Sequence, residues 1–453
     1  MRGYDRRSVL RGLAGTGLLA VAGCNGGQSQ DQPEGGSSGS DDGTTTSTPE
    51  SQDPEQRELA FLDKVHASDP GRNDQFGHAV ASGGDTVVVG AHQDDFPDAA
   101  NAGSATVFRR EGDGWTEQAT LAAEDGDDED RFGSTVDVSG DVVLVGAGSD
   151  DDPNASDAGS AYVFELVDGT WTQRAKLAAS DGGRLDHFAE AVALEGTRAL
   201  IGAWSHAGNN GNDAGAAYVF ERAGEDWVER EKLAPLNLDR ADHFGRAVAL
   251  SGETAVVGAP RDEDPNGEQA GTVYPFDRAG GSWDRRGRIV PDDGAPGGHF
   301  GRSLALDGTT LLVGAPHDGP TRESAGGVAY VYERVGDDWV ERARLTGNGG
   351  DSDGEDSDTD DQFGHAVALA GDVAMVGAPA DEDLNGMLSG SVYVYRRSGG
   401  SWSRIGYISA RHGRPEDNFG RSVDVQDGLG VVGVPREDIP EGHSAGSAHL
   451  YTV

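Results

Sequence analysis

Residues 242–260 have the sequence DHFGRAVALSGETAVVGAP, and copies of this unit recur through most of the chain. Each copy contains a phenylalanine followed by glycine or, once, alanine, and the interval between successive phenylalanines is constant except for one longer interval before the sixth. These phenylalanines are Phe76, Phe132, Phe188, Phe244, Phe300, Phe363 and Phe419. In the copy that contains Phe244, glycines follow at positions 258 and 271 and an aromatic residue at position 276, and every copy keeps these intervals. Seven copies in one register indicate that a single structural unit is repeated seven times.

Each copy predicts four β-strands. Short apolar alternation follows the phenylalanine, as in residues 79–81, and a continuous apolar run such as residues 87–91 ends at the first glycine. Alternating segments such as residues 161–164 and 115–121 predict a third and a fourth strand. Because no helical stretch interrupts these copies, the fold class predicted is all-β, a seven-bladed β-propeller of four-stranded antiparallel blades.

The two ends of the chain predict how the ring closes. The seventh copy stops after its third strand, so one strand is missing there. The interval from Leu59 to Phe76 equals the interval from the fourth-strand residue Trp115 to Phe132. We therefore expect residues 59–65 to complete the last blade and to close the ring between the N- and C-terminal segments.

The N-terminal segment has the features of an export signal. Arg6 and Arg7 precede an apolar stretch, residues 12–23, that is too short to span a bilayer, and the sequence resembles a twin-arginine signal. Residues 21–24, Val-Ala-Gly-Cys, resemble a lipobox, which predicts lipidation of Cys24. The mature protein is then exported and anchored to the outer face of the cell membrane.

The sequence thus predicts three segments. Residues 1–23 are predicted to be a twin-arginine-type signal peptide with a lipobox. Residues 24–55 are predicted to be a lipid-anchored disordered linker, since residues after the cysteine lack large apolar side chains. Residues 56–453 are predicted to form the propeller, which contacts the membrane only through the lipid anchor and is expected to be monomeric.

Composition excludes several classes of partner. The chain has 79 acidic and 36 basic residues, which gives a formal charge of −43. Such a balance argues against nucleic acid and against an anionic membrane surface as the main partner. Only three basic residues are lysines, and this acidic, lysine-poor composition resembles that of proteins from extreme halophiles, which suggests a haloarchaeal-type lipoprotein. Cys24 is the only cysteine, so no intrachain disulfide can form.

Phe-Gly followed by Val-Gly-Ala-Pro, as in residues 244–245 and 257–260, resembles the repeat of the FG-GAP family. This family is similar to the seven-bladed head of integrin α chains and includes many exported, surface-attached proteins. The resemblance implies a non-catalytic binding or adhesion module for a surface protein or glycan. Integrin-type copies carry a calcium loop between Phe-Gly and Gly-Ala-Pro, but here a short turn such as residues 82–85 fills that interval. The calcium sites of integrin-type copies are therefore not predicted for this chain.

Two alternative functions stay open. An exported hydrolase could place its active site at the mouth of the propeller channel, and a structural envelope component would need no ligand. Residues 442–446, Gly-His-Ser-Ala-Gly, match a nucleophile elbow, but they precede a repeat strand instead of joining a strand to a helix. Trp204, the one tryptophan outside the repeat position, marks a candidate binding spot.

Acidic loops follow the Gly-Ala pair, and in three alternate copies they have the pattern Asp-x-Asp-x-Asn. The residues are Asp150, Asp152, Asn154, Asp262, Asp264, Asn266, Asp381, Asp383 and Asn385. Oxygen ligands at positions 1, 3 and 5 match the first half of a calcium loop, which would make Ca²⁺ or Mg²⁺ a cofactor. The bidentate glutamate of the second half is missing. The other interpretation is that these residues are turn formers in an acid-rich chain.

Basic side chains recur two residues after the phenylalanine. If the first strand lines the central channel, these residues would form a cationic ring at one mouth and could hold an anion such as a carboxylate or a sulfated sugar. The possible anion ring comprises His78, Arg246, Arg302, His365 and Arg421. The favoured interpretation is instead that each arginine pairs with an aspartate of the neighbouring turn.

An aspartate stands two residues before the phenylalanine in six copies. The positions are Asp74, Asp130, Asp186, Asp242, Asp361 and Asp417. We expect these carboxylates to be structural and to accept backbone N–H groups of the Phe-Gly turn.

Overall fold

The structure is a computed structural model, and it describes residues 59–453 apart from residues 98, 152–154, 208–212, 236–237, 264–265, 320–325, 348–360, 383–385, 411–412 and 441. Cys24, the predicted signal peptide and the predicted linker lie outside the described residues. The described ranges form seven four-stranded antiparallel sheets. They contain no helix long and apolar enough to cross a membrane.

Six blades consist of four consecutive strands each. Blade 1 contains β2 (Ala79–Gly83), β3 (Thr86–Ala91), β4 (Ser104–Glu111) and β5 (Gly114–Leu121). Blade 2 contains β6 (Thr135–Ser139), β7 (Val142–Ala147), β8 (Ser160–Val167) and β9 (Thr170–Leu177), and blade 3 contains β10 (Phe188–Glu195), β11 (Arg198–Ala203), β12 (Ala216–Ala223) and β13 (Asp226–Leu233). Blade 4 contains β14 (Ala247–Ser251), β15 (Thr254–Ala259), β16 (Thr272–Ala279) and β17 (Ser282–Arg285). Blade 5 contains β18 (Ser303–Asp307), β19 (Thr310–Ala315), β20 (Val328–Val335) and β21 (Asp338–Leu345), and blade 6 contains β22 (Ala366–Ala370), β23 (Val373–Ala378), β24 (Ser391–Ser398) and β25 (Ser401–Ser409).

Blade 7 joins the two ends of the described chain. It contains β26 (Ser422–Gln426), β27 (Leu429–Val434) and β28 (Ser447–Thr452), and β1 (Ala60–Val65) is its fourth strand. β1 pairs antiparallel with β28, with Lys64 opposite His449. The all-β seven-bladed propeller and its closure by the N-terminal strand are therefore confirmed.

Glycines of the repeat allow neighbouring blades to approach each other closely. A Cβ atom on Gly90 of blade 1 would lie 2.0 Å from the carbonyl oxygen of Gly133 in blade 2. The same separation, 2.0 Å, holds between a Cβ on Gly433 of blade 7 and the carbonyl oxygen of Gly77 in blade 1. No side chain larger than hydrogen fits there, so the glycine register of the sequence reflects blade-to-blade packing. The closing interface has the same geometry as the others.

The core lies between successive blades. The ring of Phe132, which is fully buried, packs edge-to-face at 5.4 Å from Tyr162 and at 5.9 Å from Phe164. Aliphatic residues of the preceding blade, Val88 among them, complete this cluster. Edge-to-face pairs add to the burial of apolar area, which explains why the sequence repeats aromatic residues at fixed intervals.

Strand order decides which loops share a face. In each antiparallel blade the start of the first strand, the end of the second, the start of the third and the end of the fourth lie at one edge. We call this side of the ring the channel-mouth face. It carries the Phe-Gly turns and the acidic loops, whereas the opposite face carries short hairpin turns such as that between Gly83 and Thr86.

Candidate functional site

A cavity of about 290 Å³ lies at the centre of the ring. Each of the seven blades contributes three consecutive residues to its wall, and the first of the three is the position two residues after the repeat phenylalanine. The structure thus brings together residues that are one or more whole repeats apart in sequence. These seven mouth residues, which we call the mouth ring, are His78, Ser134, Glu190, Arg246, Arg302, His365 and Arg421.

An apolar layer lies deeper along the same strands. The third residue of each set is valine in six blades and leucine in the other. These residues are Val80, Val136, Val192, Val248, Leu304, Val367 and Val423. The charged side chains of the mouth ring therefore lie above branched aliphatic groups, an arrangement that strengthens electrostatic interactions relative to bulk water.

Within the mouth ring, three guanidinium groups are matched by one carboxylate. Nη1 of Arg246 lies 3.7 Å from Oε2 of Glu190, and a guanidinium nitrogen of Arg421 contacts Nε2 of His365. Arg302 forms no ion pair with any residue that the structure describes. The favoured interpretation from sequence, that each arginine pairs with an aspartate of the neighbouring turn, is wrong. The reason is that these side chains project into the channel, where the nearest carboxylate is a mouth-ring glutamate.

Mutual repulsion and burial shift the pKa values of the mouth ring. The charge of Arg246, followed by burial, lowers the pKa of Arg302 well below its usual range. Burial, with Arg246 adding to it, lowers the pKa of Arg421 to about 10. Burial and neighbouring cations also lower the pKa values of His78 and His365 well below the ordinary imidazole value. Both histidines are therefore neutral at pH 7, and the ring carries two unbalanced positive charges.

Further basic residues surround the mouth on the loops of the same face. Arg131 precedes a repeat phenylalanine, and Arg261 and Arg436 stand three residues after a first-position glycine. Burial and then Arg131 lower the pKa of His92 to about 4, and burial and then Arg261 lower that of His243 to about 4. Sequence reasoning missed these residues. Comparing charge at each repeat position across the seven copies would have found them.

Trp204 packs between blades instead of standing free. Its indole stacks on His187 with ring centroids 5.3 Å apart and planes inclined by 2°, and it also contacts His243 at 4.5 Å. Trp204 occupies the position of the proline in Gly-Ala-Pro. The indole is thus part of the packing around the channel mouth.

In four blades, the first aspartate of the acidic loop accepts a hydrogen bond from a buried tyrosine. The hydroxyl of Tyr162 donates to Asp150 at 2.8 Å, and Nζ of Lys176 lies 2.8 Å from the same carboxylate. The same sequence separation between aspartate and tyrosine recurs along the chain. The other pairs are Asp262–Tyr274 at 2.6 Å, Asp318–Tyr330 at 2.5 Å and Asp381–Tyr393 at 2.8 Å. Sequence reasoning missed this partner, although tyrosine recurs at that position in the third strand.

Four of the nine predicted calcium ligands, Asp150, Asp262, Asn266 and Asp381, are among the described residues. Among the described residues, no group of three or more His, Cys, Asp or Glu side chains could hold a metal ion. Nδ2 of Asn266 donates to the carbonyl oxygen of Pro291 at 2.7 Å. Five predicted ligands lie outside the described residues, and a calcium role for them stays a prediction. They are Asp152, Asn154, Asp264, Asp383 and Asn385.

The aspartates before the phenylalanine are structural, but their partner differs from the one predicted. Asp130 accepts the N–H of Asp127 at 2.6 Å, and Asp242 accepts the N–H of Asp239 at 2.6 Å. The donor is therefore the residue three positions earlier, not the Phe-Gly turn. Burial raises the pKa of Asp130 to about 6 and that of Asp242 to about 7.

The serine of the Gly-His-Ser-Ala-Gly segment lacks the geometry of a nucleophile. Nδ1 of His443 lies 2.9 Å from Oγ of Ser444 and 3.2 Å from a carboxylate oxygen of Asp438. A catalytic triad places the hydroxyl and the carboxylate on opposite imidazole nitrogens, because one nitrogen must accept the proton while the other is held. Here both partners share one nitrogen, so no proton relay is formed.

Comparisons with known proteins agree with the repeat pattern. A sequence model of the family described as "FG-GAP repeat" matches residues 61–108, 115–164, 171–220, 227–276, 283–332, 339–395 and 402–451. Each match begins in the outer strand of one blade and ends in the third strand of the next. The chain is 29% identical to integrin alpha-7 of Rattus norvegicus over 228 residues, which is 46% of this chain and 18% of that protein. A chain of the solved structure titled "Crystal Structure of Mitotic Checkpoint Complex" is 10% identical, with a TM-score of 0.49, over 87% of this chain and 94% of that one.

Proposed function

Because the chain belongs to the FG-GAP repeat family, we propose that it is a non-catalytic binding or adhesion module that recognises a protein or glycan at a cell surface. The observation that carries this proposal is the closed ring of seven such repeats, together with the similarity of about half the chain to part of an integrin α chain. The match spans 18% of that integrin, so the comparison concerns the repeats and not the whole protein.

The channel-mouth face is the proposed binding face. Its loops are long: the loop between β3 and β4 runs from position 92 to position 103, whereas only positions 84 and 85 separate β2 from β3 on the opposite side. Long loops held by a rigid scaffold are where binding residues usually lie. This face also carries the mouth ring and the acidic loops.

The proposed location is the outer face of the cell membrane. The supporting features are the twin-arginine pair, the lipobox ending at Cys24 and the apolar-poor segment of residues 24–55. The acidic, lysine-poor surface suits a protein of haloarchaeal type, because carboxylates keep a surface hydrated in molar salt. The propeller is proposed to act as a monomer.

Export and anchoring are tested in the producing organism. Replacing Cys24 by Ala should move the full chain from the membrane fraction to the medium, while replacing Arg6 and Arg7 by Lys should retain it in the cytoplasm. Gly26→Ala, two residues beyond the lipobox, is the matched control and should leave the chain in the membrane fraction. Membrane association of the Cys24→Ala variant would contradict the lipid anchor.

Adhesion is tested with the purified full chain and cell envelopes of the producing organism. We expect saturable binding, and pretreating the envelopes with protease or with periodate distinguishes a protein partner from a glycan. Loss of binding after one treatment identifies the class of partner. Absence of saturable binding, with hydrolysis of ester or glycoside substrates by the chain, would favour the exported hydrolase. Absence of both would favour a structural envelope component.

A further inference from the structure

The mouth ring concentrates positive charge in a chain that is otherwise strongly acidic. Three guanidinium groups converge on one cavity, and Glu190 is the one carboxylate among the seven positions of the ring. Arg302 lies within ion-pair distance of no carboxylate among the described residues, and repulsion from Arg246 together with burial lowers its pKa, an effect that the charge of Glu190 offsets only in part. Charges placed this way raise the free energy of the empty site, and an anion bound between them would relieve the repulsion.

We propose that the mouth of the channel is a binding site for a small dianion with the chemistry of sulfate. The ring carries two unbalanced positive charges, because its histidines are neutral and one of its three guanidinium charges is offset by Glu190. Guanidinium groups present several N–H donors in a planar fork that matches oxyanions. A dianion therefore neutralises the ring, whereas a halide would leave one charge unbalanced.

The size of the cavity and its floor also favour a small oxyanion. A volume of about 290 Å³ exceeds that of several water molecules, at about 30 Å³ each, so a five-atom ion fits together with part of its hydration shell. The three hydroxyl groups in the cavity wall beneath the mouth ring, those of Thr135, Ser303 and Ser422, donate to backbone carbonyl oxygens, and the valine and leucine side chains offer no donors or acceptors. Ligand and guanidinium groups then interact above an apolar surface, where their attraction is less weakened than in water.

The loops around the mouth favour a free ion over a polymer. Exposed carboxylates lie on the channel-mouth loops, including Asp95, Asp128, Glu129 and Asp151. A sulfated polymer that crosses the face would meet these charges, whereas a small ion needs only to enter the channel. This inference does not rest on the proposed adhesion function, since it concerns the interior of the ring and not a partner on a cell.

The test is isothermal titration calorimetry of the purified full chain with sodium sulfate in potassium chloride at constant ionic strength. We expect one saturable site per chain. Arg302→Gln should weaken the binding of sulfate at least tenfold, and Glu190→Gln should tighten it several-fold because it removes the one opposing charge. Arg174→Gln is the matched control: it removes an equal charge from the outer strand β9, outside the channel, and should leave the affinity unchanged.

Two further readouts keep the proposal falsifiable. Sulfate stabilises many proteins nonspecifically, so the informative quantity is the difference between variants in the rise of melting temperature on adding sulfate. This rise should be larger for the wild type than for Arg302→Gln, and equal for the wild type and Arg174→Gln. Inorganic phosphate should compete with sulfate for the site. Equal affinity of the wild type and Arg302→Gln, or no saturable binding to the wild type, would overturn the proposal. Tighter binding of dextran sulfate, per sulfate group, would overturn the assignment of a small free ion. None of these measurements involves cells, so failure here is distinguishable from failure of adhesion.

Discussion

Replacing Tyr162 by Phe should destabilise the propeller without changing the packing of its core. The ring of Tyr162 is fully buried and packs against Phe132, and phenylalanine preserves this contact. The substitution removes only the hydroxyl, whose oxygen lies 2.8 Å from a carboxylate oxygen of buried Asp150 and 3.1 Å from one of Asp125. A hydrogen bond to a charged group contributes about 1.5–3 kcal/mol to stability. For a domain of several hundred residues, this corresponds to a fall in melting temperature of about 2–4 °C.

The assay is guanidinium unfolding followed by circular dichroism, in molar potassium chloride with excess EDTA. Tyr407→Phe is the matched control, because Tyr407 is 53% exposed and its hydroxyl makes no hydrogen bond within the described part of the chain. It should unfold as the wild type does. Equal stability of Tyr162→Phe and the wild type in EDTA would refute the reasoning that the hydrogen bond from Tyr162 to Asp150 stabilises the propeller.

The same assay with calcium decides between the two interpretations of the acidic loops. If the loops bind calcium, the ion should stabilise the wild type and Tyr162→Phe alike, since the variant keeps every carboxylate. If the residues are turn formers, calcium should change neither. Changing Asp150, Asp262 and Asp381 to Ala together cannot decide this, because it also removes three hydrogen bonds to buried tyrosines.

Three other outcomes follow from the structure. Gly90→Ala should lower the unfolding free energy by about 3 kcal/mol or more, because its Cβ would lie 2.0 Å from a carbonyl oxygen of the next blade. The control Gly114→Ala, whose Cβ would face open space, should change the unfolding free energy by less than about 0.5 kcal/mol. Ala189→Gly should raise the unfolding free energy by about 0.5–1 kcal/mol in denaturant titrations. Ala189 has a φ of 72°, and relief of the strain that alanine has in this left-handed conformation should outweigh the additional chain entropy that glycine loses on folding. Sulfate binding measured by calorimetry should tighten as pH falls from 7 to 5. The pKa values of His78 and His365 are low in the empty site, and a bound dianion should raise them, so that protonation of these histidines favours binding. An affinity that does not depend on pH would contradict this. The groups facing these imidazoles are His92, His317, Arg131, Arg246, Arg302 and Arg421.

The fold was predictable because its determinants repeat locally. The repeat glycines lie where two blades touch, and the repeat phenylalanine packs on aromatic residues of its own blade. Because every copy keeps these residues in the same register, the packing of the blades can be predicted from the repeat itself. The strand that closes the ring was predictable for the same reason, since residues 59–65 keep the interval that separates a fourth strand from the next phenylalanine.

The candidate site was predictable only in part. The position of the mouth ring followed from the first strand, but the partners of its arginines did not, and the expected Arg–Asp pairs are absent from the described residues. Likewise, the acidic loops matched a calcium pattern by spacing, while the tyrosine that donates to the first aspartate of each matching loop lies outside that pattern, on the following strand.

By itself, the sequence determined the number of blades, their strands and the closure of the ring, because these depend on interactions that recur in every copy. Only the tertiary structure decided which charges meet. Closing the ring brings seven residues from seven blades around one channel, and the single glutamate among them cannot balance three arginines. That imbalance depends on distances across the channel, which no local register encodes, and it is the physical basis of the proposed dianion site.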